Sequence, residues 1–203
     1  MKSLANKSLV CFSALATISF SAGALAQIDD SVEEIVVFGR DTDLVGEAVS
    51  ASVGYIGGAD LLIRPLVKTA ELLESMPGMV AVQHSGSGKA NQYFLRGFNL
   101  DHGTDYTVRL DGVPLNMRSH GHGQGYLDVN GVIPETVEGI DFRKGPYYAD
   151  LGDFSLAGAS FINTIDRFER SFVSGEAGEN GWNRYVGGTS QQIDRGTLSL
   201  VGE

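Results

Sequence analysis

The sequence predicts a small α+β domain, a mixed sheet with short helices and long loops, followed by the first strands of an antiparallel meander. Three observations predict it. Glycine supplies 27 of 203 residues, well above an ordinary usage of about 7%, which points to many turns around a modest core. Between residues 53 and 165 the apolar runs are short, rich in β-formers and punctuated by Gly, Pro, Asn and Asp. After Asp166, polar and apolar or aromatic residues alternate loosely.

The chain begins with a cleavable export signal over residues 1–26. Lys2 and Lys7 hold the start in the cytoplasm. Leu9, Val10, Phe12, Leu15, Ile18 and Phe20 form a short apolar segment, and Ala24-Leu25-Ala26 predicts cleavage before Gln27. The run is too short and Ser-rich for a membrane span of about 20 residues. Cleavage removes two of the 15 basic residues and none of the 25 acidic ones, so the net charge goes from −10 to −12. It also removes Cys11, the single cysteine, and with it disulfide and thiolate chemistry. A strongly acidic chain argues against nucleic acid as a partner.

Residues 27–52 read as a flexible acidic tether with one sticky island, Ile35-Val36-Val37-Phe38, preceded by Glu33-Glu34. Four β-formers in a row suit addition to the edge of another sheet. The compact domain is expected over 53–166, with strands at 53–56, 79–83, 92–96, 106–110, 113–115, 140–143 and 157–165. Thr69 is a candidate N-cap for a helix at 70–75, whose buried face is Leu72, Leu73 and Met76 and whose stop is Pro77-Gly78. Asp111-Gly112 is a strong hairpin signal. Residues 118–131 lack periodicity and read as a long functional loop. Pro134 opens a short helix that Gly139 ends. Residues 167–203 carry the meander.

Ser85-Gly86-Ser87-Gly88-Lys89 lacks the first Gly and last Ser/Thr of a phosphate loop, and reads as a surface loop. His102, His120 and His122 fall near one another by motif, with His84 upstream. His120 and His122, two apart, face the same way on extended chain. With Asp101, Asp105 or Asp128 they could hold zinc, copper or nickel, or they form a hydrogen-bonding, ligand-contacting loop. No nucleophile elbow, cysteine or carboxylate pair suggests catalysis. The expectation is a non-enzymatic chain without a cofactor.

In order, these pieces resemble the TonB-dependent outer-membrane receptors. Glu33-Glu34-Ile35-Val36-Val37 is similar to a TonB box. Leu72-Leu73 and Met76-Pro77-Gly78-Met79-Val80 resemble the first plug helix and strand. Phe94-Leu95-Arg96-Gly97-Phe98 resembles the "IRG" strand, and Arg109-Leu110-Asp111-Gly112-Val113-Pro114 the "DGVP" hairpin. Val137-Glu138-Gly139-Ile140-Asp141-Phe142-Arg143-Lys144-Gly145-Pro146, with Gly152-Asp153 and Ile162-Asn163, resembles the closing segment. Phe38, Phe161 and the stretch from Asp150 to Leu156 depart from the commoner pattern and suggest a subgroup.

The resemblance implies an α+β plug domain followed by the start of an antiparallel transmembrane β-barrel. It implies active uptake of a scarce nutrient such as a siderophore, cobalamin or a metal chelate. Glu33, Glu34, Ile35, Val36, Val37 and Phe38 would pair with TonB, energised by its inner-membrane complex. Apical loops at 99–105 and 118–128 would contact ligand through His102, Asp105, Arg118, His120, His122, Gln124, Tyr126 and Asp128. The location implied is the outer membrane. A 22-stranded barrel needs roughly 220 residues in strands alone, whereas 37 follow Asp166. The expectation is therefore a fragment, a truncated gene product or a periplasmic orphan plug. The alternative function is a free periplasmic binding protein that holds metal or another ligand through His120 and His122.

Overall fold

The computed structural model describes residues 48–66, 68–83 and 88–203. The export signal, tether residues 27–47 with the segment 33–38, and residues 84–87 with His84 lie outside the described residues. Everything below belongs to one unit, Phe38–Glu203.

The main sheet has six strands: β1 (Ala48–Ser50), β2 (Val53–Gly57), β6 (Tyr106–Leu110), β7 (Val113–Pro114), β8 (Val137–Lys144) and β9 (Gly158–Thr164). They stand in the order β1-β2-β8-β9-β6-β7. All pairs are antiparallel except β6 with β9, which run parallel. The mixed sheet expected from sequence is therefore present. β1, in the stretch read as tether, already pairs with β2.

A second, antiparallel sheet holds β3 (Met79–Val82), β4 (Gln92–Leu95) and β5 (Phe98–Asn99). Two short helices, α1 (Gly58–Leu62) and α2 (Glu71–Glu74), complete the domain. Leu72, Leu73 and Met76 of the α2 turn are buried with Tyr93, Leu95, Tyr106, Val108, Ile140 and Ile162. Tyr106 is fully buried, and its hydroxyl meets Ser160 Oγ at 2.7 Å and Met76 Sδ at 3.2 Å. Burial drives its phenol well above the ordinary pKa, so it stays neutral.

Two expectations are corrected. Thr69 does not cap α2: Ala70 holds the cap position in helical conformation with no side-chain cap bond. The chain is already wound there, since Glu71 N–H donates to the Lys68 carbonyl and Leu72 N–H to that of Thr69. Glu71 instead reaches back to accept from Lys68 N–H at 3.0 Å, the returning half of a capping box. Gly139 does not end a helix. The Pro134–Thr136 turn passes straight into β8, where Gly139 lies beneath the Tyr55 ring. A Cβ there would lie 2.1 Å from the Tyr55 hydroxyl oxygen, so the glycine is a cross-strand fit.

The Asp111-Gly112 hairpin forms, with φ of 47° and 82°. Two consecutive positive values are what a tight two-residue hairpin of this hand requires. Asp111 also fastens the hairpin to β9 by accepting from Thr164 N–H at 2.8 Å and Thr164 Oγ at 2.7 Å.

After Asp166 come β10 (Phe172–Ala177), β11 (Asn183–Ile193) and β12 (Gly196–Gly202), an antiparallel meander. Its register puts Val173, Tyr185, Leu198 and Leu200 on one face, all exposed, and Ser174, Arg184, Ser190 and Ser199 on the other. That is the apolar-out, polar-in alternation of a barrel wall. Among the described residues the wall does not close.

Candidate functional site

Two loops follow from the strands that carry them. The first leaves β5 and enters β6 across residues 100–105. The second runs from 117 to 128. Three ties lace them together. Leu127 N–H donates to the His102 carbonyl at 2.7 Å, Thr104 Oγ donates to the Gln124 carbonyl at 3.0 Å, and the Gly103 backbone lies on Leu127. Gly103 has φ +101°, and a Cβ there would lie 2.3 Å from Leu127 Cβ, so this close approach needs glycine.

Asn116, buried just before the second loop, joins both loops to β6. Its Oδ1 accepts from Val108 N–H at 2.9 Å. Its Nδ2 lies 3.0 Å from the Gly103 carbonyl, 2.9 Å from that of Tyr106 and 3.0 Å from that of Gly125. Backbone bonds between Met117 and residues 125–126 then close the base of the second loop.

On this frame four rings gather. His102 is 4% exposed and its Nδ1 lies 3.0 and 3.1 Å from the carbonyls of Ala90 and Asn91. Carbonyls only accept, so Nδ1 carries the proton. Tyr126 is buried, and its hydroxyl oxygen accepts from Ala90 N–H at 2.6 Å. His120 stacks on Tyr126 at 4.0 Å and 15°. His122 stands edge-on to His102, with ring centroids 4.5 Å apart. His122 N–H donates to His120 Nδ1 at 3.2 Å. The pair expected to face the same way therefore wraps one tyrosine.

The remaining candidates do other work. Arg118 pairs with Asp153 at 3.0 Å, both highly exposed, a contact of little energetic weight. Asp128 accepts from Asn130 N–H at 2.9 Å in a local turn. Gln124 and Asp105 serve through their backbone carbonyls, the latter accepting from Ala157 N–H at 2.9 Å. Among the described residues no three His, Cys, Asp or Glu side chains form a group that could hold a metal ion.

Two further groupings carried no sequence signal of their purpose. Arg96 Nη2 donates to the Ala51 carbonyl at 2.7 Å, and Lys144 Nζ donates to Ala51 at 3.1 Å and Pro77 at 2.5 Å. Two cations thus clasp the point where β1 turns into β2. Burial first, then the Arg96 charge, holds the Lys144 ammonium below its ordinary pKa. Farther along, Arg184 on β11 grips Glu135 and Glu203.

A family model described as the TonB-dependent Receptor Plug Domain matches residues 46–159. Solved receptors share the fold. A ferric enterobactin receptor mutant from Pseudomonas aeruginosa is 22% identical with a TM-score of 0.53, over 72% of this chain and 23% of its own. The ferric yersiniabactin uptake receptor of Yersinia pestis is 17% identical with a TM-score of 0.56, over 78% and 24%. The copper transporter OprC is 19% identical with a TM-score of 0.57, over 81% and 25%. The chain thus spans about a quarter of the length of these receptors. The likeness is one of fold: a plug with a mixed sheet and short helices, followed by the first strands of a barrel.

Proposed function

The chain belongs to the family of TonB-dependent receptor plug domains, and from that membership we propose that it is the plug and energy-coupling part of an outer-membrane receptor for active uptake of a scarce nutrient. The plug would close a barrel and present the loops at 99–105 and 118–128 to the ligand. The tether carrying Glu33, Glu34, Ile35, Val36, Val37 and Phe38 would lie in the periplasm, where TonB pairs with it by strand addition. The observation that carries this reading is the order of parts. Sequence patterns that read as an export signal and a sticky acidic tether precede the plug match at 46–159 and an apolar-out meander in one chain. The nutrient class is a siderophore, cobalamin, a metal chelate or similar. The neighbours named above handle ferric enterobactin, ferric yersiniabactin and copper, and they lend the fold but not the cargo.

The clasp on Ala51 supports the coupling role. The tether enters the sheet through β1, and Arg96 and Lys144 hold the next residue from β4's end and β8's end. A pull on the tether would load those two strands. The experiment is a titration of a peptide spanning residues 30–40 with the periplasmic domain of TonB. Saturable binding is expected, and no binding beside a known box peptide that binds would contradict the reading.

A further inference from the structure

We propose that Asn130-Gly131 is a self-modification site. The Gly131 backbone nitrogen closes on the Asn130 side chain, and the asparagine becomes aspartate or isoaspartate. The step uses water and no enzyme.

Glycine leaves the attacking nitrogen unshielded by a Cβ on its own residue. Three pairs have the composition for such a closure: Asp111-Gly112, Asn130-Gly131 and Asn180-Gly181. The structure separates them. Asp111 is withdrawn, since Thr164 holds both of its carboxylate oxygens. Asn180 sits in left-handed conformation, with φ 57° and ψ 25°, which turns the Gly181 nitrogen away from the side chain. Asn130 carries neither restraint. Val132 N–H donates to the Val129 carbonyl at 3.0 Å, so residues 129–132 form a turn. Neither Asn130 nor Gly131 has a positive φ, so the turn is type I and its first central ψ is about −30°. Negative ψ brings the Gly131 nitrogen closer to the Asn130 side chain. Both residues are exposed. Among the described residues no hydrogen bond takes the Asn130 side-chain amide, and no acceptor takes the Gly131 N–H.

The step balances without an oxidant. The Gly131 nitrogen loses its proton to hydroxide and bonds to Asn130 Cγ. The bond from Cγ to the side-chain nitrogen breaks, and ammonia leaves. Water then opens the cyclic imide at either carbonyl. One opening gives aspartate. The other routes the main chain through the former side chain and lengthens it by a methylene. Both products disturb this turn. Val129 and Val132, at 1% and 6% exposure, plant its two sides in the core, so a longer chain between them strains the anchor. The new carboxylate also stands two residues from Asp128, whose Oδ1 accepts from Asn130 N–H at 2.9 Å, and like charges loosen that bond. The modification is a slow, one-way loosening of residues 128–132, where the long loop rejoins the core.

The test incubates the full chain at mildly alkaline pH and maps its peptides by mass spectrometry, with fragmentation that tells isoaspartate from aspartate. Asn130 should convert first, well ahead of Asn180. Gly131→Ala is the decisive variant. Gly131 has no positive φ, and a Cβ there would meet nothing within 4 Å, so the fold tolerates it while the attacking nitrogen gains a shield. Conversion at Asn130 should slow several-fold in that variant, with an unchanged circular dichroism spectrum. Converted wild type should exchange amide hydrogens faster over residues 128–132. Asn130 staying intact while a free peptide of residues 126–134 converts in the same buffer overturns the proposal. So does conversion of Asn180 ahead of Asn130, or a wild-type rate in Gly131→Ala.

Discussion

Arg184 holds the carboxylate of Glu135 with both ends of its guanidinium, Nη1 to Oε1 at 2.6 Å and Nη2 to Oε2 at 2.8 Å. The first comes from the meander and the second from the turn that launches β8, so this pair fastens the plug to the first barrel strands. Both side chains are largely covered, at 12% and 25% exposure, and the two-pronged geometry adds direction to charge.

Glu135→Gln should therefore cost about 2 kcal/mol at neutral pH, the scale of hydrogen bonds to charged groups. The bond to Arg184 holds the Glu135 carboxyl below its usual range, against an opposing push from burial. A depressed carboxyl contributes stability above its unfolded pKa of about 4.3 and loses it as pH falls through the folded value. Denaturant unfolding of wild type and Glu135→Gln should thus differ at pH 7 and converge as pH drops below about 4. A gap that stays constant with pH would remove the ion pair from the account.

Asn116 should be the costliest polar residue of the loop frame. Asn116→Ala removes the acceptor of Val108 N–H and the two amide hydrogens shared among the carbonyls of Gly103, Tyr106 and Gly125, of which Gly103 keeps the Tyr106 N–H, a loss of about 3 kcal/mol. Asn116→Asp should be at least as harmful, because it turns a carboxylate oxygen toward carbonyls that need a donor. Thermal unfolding of both variants decides the point, and a mild Asp variant would contradict it.

Lys144→Met tests the clasp on Ala51. Arg96 still serves the Ala51 carbonyl, but Pro77 loses its donor. Hydrogen exchange should speed up over residues 48–54 and leave β9 protected. Uniform acceleration would instead assign Lys144 a role in the whole core.

Two glycines separate a side-chain obstacle from a backbone one. At Gly139 the obstacle is the Tyr55 ring. At Gly158 a Cβ would lie 2.2 Å from the Arg143 carbonyl oxygen, at φ +136°. Gly139→Ala should cost about 1–3 kcal/mol by overpacking and be relieved by Tyr55→Leu. Gly158→Ala should cost more and find no such relief. Equal melting temperatures for the two would refute the distinction.

Much of this fold was legible because its signals are local. Asp111-Gly112, Pro77-Gly78 and the short β-rich runs each name their own conformation, and the structure follows them. What could not be read was long-range pairing. The parallel contact of β6 with β9 joins residues about 50 positions apart, and Phe98–Asn99 becomes a strand only because β4 lies beside it. The site divides the same way. The histidine-rich loop stood out by composition, and its rings do gather. Asn116 looked like any loop asparagine, because its importance lies in three carbonyls brought in by tertiary structure. Thr69 misled because a good cap residue does not decide where the turn begins winding.

The central claim is energy coupling through the tether, and the most direct measurement is the affinity of the full chain for the periplasmic domain of TonB, beside Val36→Pro. Proline removes a backbone donor from the segment that would pair. The account predicts saturable binding by the wild type and loss of at least about tenfold in affinity in the variant, with the plug's circular dichroism unchanged. Equal binding by both chains, or none by the wild type, would contradict it.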